Sequence, residues 1–168
     1  QSVGSLVNTG YQVFSGTVLD NIRFSRPEAT PQEVAEIARE MEIDAMIRRM
    51  PQGYDTEIGE RGSSLSLGQK QLIAFARALL RDPAILVLDE ASSYLDSRTE
   101  ELVQRAMARL SHGRTTFVIA HRLATIRDAD TILVMNDGRI VERGNHRDLV
   151  AREGHYAELL RTQYAAAP

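Results

Sequence analysis

The segment TPQEVAEIAREM places Val34, Ile37, Ala38 and Met41 three or four residues apart, which predicts an amphipathic helix with one buried stripe. Thr30 is its expected N-cap, Pro31 takes the first helical position, and Glu33 stands three residues after the cap, as in a capping box. A second short helix is predicted over roughly Ile43 to Met50, ending before Pro51, and PQGYDTEIGERG then reads as a polar, glycine-rich loop. After Ser66 a longer helix is predicted to run to about Leu80, with Leu72, Phe75, Ala76 and Leu79 as its buried stripe. The unbroken apolar run AILVL that follows is expected to be a strand of a parallel sheet, covered on both faces. A helix over roughly Thr99 to Leu110 would bury Leu102, Val103, Ala106, Met107 and Leu110. Next come the predicted strand TTFVIA, a short helix around Leu123 to Arg127, and two strands, TILVM and RIVER, joined by the turn signal Asn136-Asp137-Gly138. HRDLVAREG and HYAELLRTQY read as closing helices, and SVGSLV followed by NTGYQVFSGTVLDNI as a short β-rich segment and a glycine-punctuated loop. Strands alternating with helices predict an α/β fold with a parallel sheet flanked by helices and a helical insertion ahead of Ser66.

Composition narrows this picture in a few places. At 168 residues, 43% hydrophobic and 26% charged, the chain has the size and apolar content of one globular domain or part of one. The formal net charge is −3 and the basic residues are scattered, so no nucleic-acid partner is expected. There is no cysteine, which excludes disulfides and thiolate metal sites. The longest strongly apolar stretch, Ala84 to Leu88, is far short of the roughly 20 residues a membrane-crossing helix needs, and the N-terminus shows no signal-peptide pattern. Lys70 is the only lysine and follows Gln69, so a phosphate-cradling G-x-x-x-x-G-K-[ST] loop is absent from these residues.

Three places carry candidate chemistry. Asp89 and Glu90 close the AILVL strand, at the sheet edge where ligands of parallel α/β folds bind. There an aspartate can hold Mg²⁺ and a glutamate can polarise a water for attack on phosphate, although many buried strands end in acidic turns without function. Ser66 and Gly68 precede or open a helix whose first N–H groups could hold an anion. Ser66-x-x-Gln69 is equally an ordinary capping box. His121 follows the strand TTFVIA at the same predicted edge, where it could reach a phosphate oxygen or be structural.

The order Leu65-Ser66-Leu67-Gly68-Gln69, Asp89-Glu90, Ser93-Tyr94-Leu95-Asp96 and His121 resembles the ATP-binding cassette (ABC) ATPases: signature loop, Walker B strand, D-loop and switch histidine. FSGTVLDNI, PQGYDTEIGERG, ARALLRDPAILVLDEASSYLD, TTFVIAHRLATIRDADTILVMNDGRIVERGNHRDLV and GHYAELLRTQ resemble the exporter branch along nearly the whole chain. The resemblance implies a P-loop NTPase-like fold whose P-loop precedes Gln1, with residues 1–168 as a partial ABC domain. About 17–80 would be the helical subdomain with the signature loop, and about 81–168 the C-terminal part of the catalytic core. It implies ATP and Mg²⁺ as cofactors, with Asp89 as metal ligand, Glu90 as base and His121 as γ-phosphate sensor. Leu65, Ser66, Leu67, Gly68 and Gln69 would act on the ATP of a second nucleotide-binding domain, and Ser93 and Asp96 would join the two sites. The resemblance further implies an ATPase driving transport through transmembrane domains at the cytoplasmic face of a membrane, with these 168 residues inactive alone. Departures are Leu67 where the signature has its first glycine, Thr9 at the Q-loop position, and Leu72 where an arginine is common. In exporters with unlike halves such a signature commonly faces a partner lacking the catalytic glutamate, so the second domain is expected to be non-identical. A non-catalytic regulatory or dimerisation module, or a soluble ABC ATPase, are the competing expectations.

Overall fold

A computed structural model describes residues 12–89, 95–120 and 123–165. The chain divides into two compact units with the boundary after Ile119.

The first unit opens with β1 (Gly16–Thr17), which pairs antiparallel with β2 (Glu57–Ile58). Where the sequence suggested a loop, Val18–Arg23 forms the helix α1. Thr17 caps it, accepting from the Asp20 N–H at 3.0 Å while the Asp20 carboxylate accepts from the Thr17 N–H at 3.3 Å. This reciprocal cap fixes a helix too short to show a period, and the core buries Val18 and Ile22 on one face of it. In α2 (Pro31–Glu40) the Thr30/Glu33 capping box and Pro31 stand as expected. α3 is shorter than expected, Asp44–Arg48.

The segment after Ser66 becomes α4 (Leu67–Arg81), packed against α1, α2 and α5 (Ser97–Ser111). The predicted stripe of Leu72, Phe75, Ala76 and Leu79 is buried, and so are Ile73, Ala74, Ala78 and Leu80, because neighbours cover the helix on several sides. The left-handed conformation of Asp82 (φ 50°) ends it. β3 (Ile85–Asp89) and β4 (Thr115–Ile119) are parallel, in register from Ile85 opposite Thr115 to Asp89 opposite Ile119. The expected coverage on both faces is only half met within this unit: Leu86 and Leu88 are buried, whereas Ile85 and Val87 are partly accessible. α5 buries Val103, Ala106 and Leu110, with Leu102 and Met107 partly covered. Arg105 and Arg109 both pair with Glu42, and Arg109 also donates to the Glu40 carbonyl at 2.7 Å, tying α5 to the α2–α3 connection.

The second unit contains α6 (Leu123–Arg127), the hairpin β5 (Ile132–Asn136) and β6 (Arg139–Gly144), α7 (His146–Ala151) and α8 (His155–Ala165). The expected turn places both Asp137 and Gly138 at positive φ, 47° and 74°, which matches the twist of a two-residue hairpin loop. Ile132, Val134, Leu149 and Tyr156 form its core, and the Glu142 carboxylate accepts the His155 and Tyr156 N–H groups at the start of α8.

Candidate nucleotide site

The loop entering α4 is built from five residues that point in different directions. Leu65 is half-buried against the core. Ser66 is the N-cap; its Oγ accepts the Gln69 N–H at 3.2 Å, while the Gln69 Oε1 accepts the Ser66 N–H at 2.8 Å. The capping box suggested by the sequence is therefore present, and both side chains hold the helix start. Lys70 N–H closes onto the Ser66 carbonyl at 3.0 Å, leaving the N–H groups of Leu67 and Gly68 without an acceptor inside the helix. Such groups, at the positive end of a buried helix of 15 residues, suit an anion such as phosphate. Leu67, the first helical residue, is 40% exposed, whereas Gly68 is buried.

Gly68 meets the start of α5. A Cβ built on it would fall 2.2 Å from Cγ2 of Thr99 and 3.3 Å from Cδ2 of Leu95. Asp96, between them, caps α5: its Oδ1 accepts the Thr99 N–H at 3.0 Å and its Oδ2 accepts the Thr99 hydroxyl at 2.6 Å. These bonds, the hydroxyl first, hold the exposed Asp96 carboxyl below the usual carboxylate range, so it is ionised at neutral pH. The sequence reading has Thr99 only as the approximate start of the helix and misses the cap at Asp96, although Asp-x-x-Thr ahead of an apolar-periodic segment is a legible cap signal.

Asp89 lies exposed at the C-terminal end of β3, opposite Ile119 at the end of β4. Glu90, Ser93, His121 and Thr9 lie outside the described residues. Leu72, the third departure from the family pattern, is fully buried in the core. Among the described residues no helix is long and apolar enough to cross a membrane.

The profile of the ABC transporter family matches residues 5–93. An ABC transporter ATP-binding protein of Bacillus subtilis, YknV, is 52% identical over 155 residues, which cover 92% of this chain and 26% of that protein. A fatty acid ABC transporter ATP-binding/permease protein of Mycobacterium bovis is 52% identical over 149 residues, 89% of this chain and 24% of that one. In structure, a bacterial Atm1-family ABC exporter with ATP bound matches with a TM-score of 0.85 at 46% identity, over 98% of this chain and 28% of that one. The chain thus spans about a quarter of the length of these relatives. Profile, sequence and fold agree on one assignment: the chain belongs to the ABC transporter family.

Proposed function

We propose that the chain is the C-terminal part of the nucleotide-binding motor domain of an ABC exporter, in which ATP hydrolysis drives a substrate through transmembrane domains that lie outside these residues. The observation that carries this reading is the meeting of two segments distant in sequence. The Leu65–Gln69 loop opens α4 directly against Leu95 and Thr99, which flank Asp96 at the start of α5. An anion-ready helix start thus adjoins the residue assigned to communication between the two ATP sites. The relatives support the exporter branch, since they include an Atm1-family exporter with ATP bound and an ATP-binding/permease protein.

In this reading Asp89, an exposed carboxylate at a strand end, holds Mg²⁺; carboxylate oxygen suits that hard cation. When bound, the ion supplies charge stabilisation on the transferring phosphate. Glu90 acts as the base toward the attacking water and His121 contacts the γ-phosphate. The Leu65–Gln69 loop, through the N–H groups of Leu67 and Gly68, serves the ATP held by a second nucleotide-binding domain across a head-to-tail dimer. Leu67, exposed at the first position of α4, weakens that contribution, so the second domain is non-identical. The assembly sits at the cytoplasmic face of the membrane, and the 168 residues alone do not turn over ATP.

The test is Glu90→Gln in the full-length protein. ATP binding is expected to persist, while turnover falls by about 10²–10⁴, because the amide keeps the shape but cannot take a proton. Hydrolysis retained above about a tenth of wild type would remove Glu90 as base, since a lost general base lowers rate by more than that. Absence of turnover in the wild type would instead favour a regulatory or dimerisation module.

A further inference from the structure

We propose that Thr99 is a positioning residue that couples the Ser66–Gln69 loop to Asp96, and that residue 68 is glycine to leave room for the Thr99 methyl group. This rests on the motor-domain reading above, which makes the first segment the signature loop and Asp96 part of the D-loop.

Gly68 lies inside α4, in ordinary helical backbone that any residue can adopt, so its conformation does not explain the missing side chain. What a side chain would meet does. Its Cβ would stand 2.2 Å from Thr99 Cγ2, far inside the roughly 3.5–4.0 Å at which carbon atoms pack, so it points into α5. Leu95, partly buried against the core, forms the other wall at 3.3 Å.

Thr99 cannot simply turn aside. A β-branched residue in a helix has few χ1 wells, and the one occupied here directs its hydroxyl to Asp96 Oδ2 at 2.6 Å. Rotation that removes the methyl from residue 68 also takes the hydroxyl off the carboxylate. A change in the position of α4 at Gly68 is therefore passed to Asp96 through one side chain, and the D-loop senses how the signature loop is seated.

A double-mutant cycle in the full-length protein tests this. Gly68→Ala in the wild-type background is expected to lower kcat for ATP by about tenfold and to lower the unfolding midpoint. In the Thr99→Ser background, which deletes the methyl and keeps the hydroxyl, the same change is expected to cost at least about threefold less in kcat than it does in the wild type and to shift the midpoint less. Thr99→Val, which keeps the methyl and deletes the hydroxyl, is expected to lower kcat with KM unchanged. Rescue of the midpoint without rescue of kcat would overturn the relay and return Gly68 to close nucleotide approach. Rescue of neither would overturn the contact itself. A wild-type protein without ATPase activity would sink the motor-domain reading and the relay together, whereas failed rescue in an active protein sinks the relay alone.

Discussion

Asn21 shows how a single side chain can fix a segment that the period of the sequence leaves undefined. It is buried and uses its full hydrogen-bonding capacity: Oδ1 accepts the Phe14 N–H at 2.8 Å and an Arg77 guanidinium N–H at 3.2 Å, while Nδ2 donates to the carbonyls of Phe14 at 2.9 Å and Thr17 at 3.0 Å. Arg77 completes the arrangement from α4, donating to the carbonyls of Asn21 at 2.8 Å and Gln12 at 2.9 Å. Its guanidinium also lies 5.1 and 5.6 Å from the ring centres of Phe14 and Phe24, which stack on each other at 4.3 Å. Asn21→Leu keeps the branched shape but leaves Phe14 N–H and two carbonyls without their partners. A loss of about 2–4 kcal/mol in unfolding free energy is expected, measurable by denaturant titration of the domain. The same scale marks the limit of the sequence reading. Ser66 and Gln69 were legible because their partners lie three residues apart, whereas Asn21 with Arg77, and Gly68 with Thr99, meet only once the chain has folded back on itself.

At the scale of elements, local chemistry at helix starts recurs through the fold. Thr17 with Asp20, Thr30 with Glu33, Ser66 with Gln69, Asp96 with Thr99 and Asn145 with Asp148 each close the first turn of a helix. Long helices were readable from period and cap together in α2 and α4, and from period alone in α5. α1 was missed because six residues hold too little period and Gly16 drew the segment toward a loop. Three of these caps carry a carboxylate held below its usual range. For Asp20 the leading cause is the Thr17 hydroxyl, for Glu33 the Thr30 N–H, and for Asp96 the Thr99 hydroxyl. A carboxyl depressed in this way binds its proton less readily in the folded chain than in the unfolded one. Its contribution is present in full above the ordinary carboxylate range, near pH 4, and is lost as pH falls through the depressed folded values. The unfolding midpoint is therefore expected to fall as pH is lowered from about 5 to 3. Glu33→Gln should flatten part of that slope while keeping the helix, because a glutamine can fill the same role in a capping box, as Gln69 does in α4. Thermal unfolding of both proteins across this range checks it; equal slopes would mean that Glu33 adds nothing to the acid sensitivity.

For the whole molecule, the sequence placed the chain in its family through the order of its motifs, and the parallel pairing of β3 with β4 and the hairpin of the second unit followed the hydrophobic pattern. What pattern alone could not supply is the second domain, because its character depends on one side chain at the edge of the described site. Leu67 occupies the first turn of α4 with 40% exposure, and a branched side chain there hinders the approach of a phosphate to the N–H groups beside it. If the intact protein pairs this chain with an unlike domain that lacks a base, the site completed by Leu67 is already inactive, and turnover comes from the site that contains Glu90. Leu67→Gly opens the helix start at a propensity cost of about 1 kcal/mol, small beside the core that α4 buries. Total ATPase of the intact transporter is then expected to stay within about twofold of wild type, since an improved donor contact cannot replace a missing base. In a symmetric dimer the same change repairs two competent sites at once, and removal of one obstruction to charge stabilisation would raise turnover by about tenfold or more. Steady-state hydrolysis of the single variant decides between the two assemblies: a rise of that size identifies a homodimer and excludes the unlike partner.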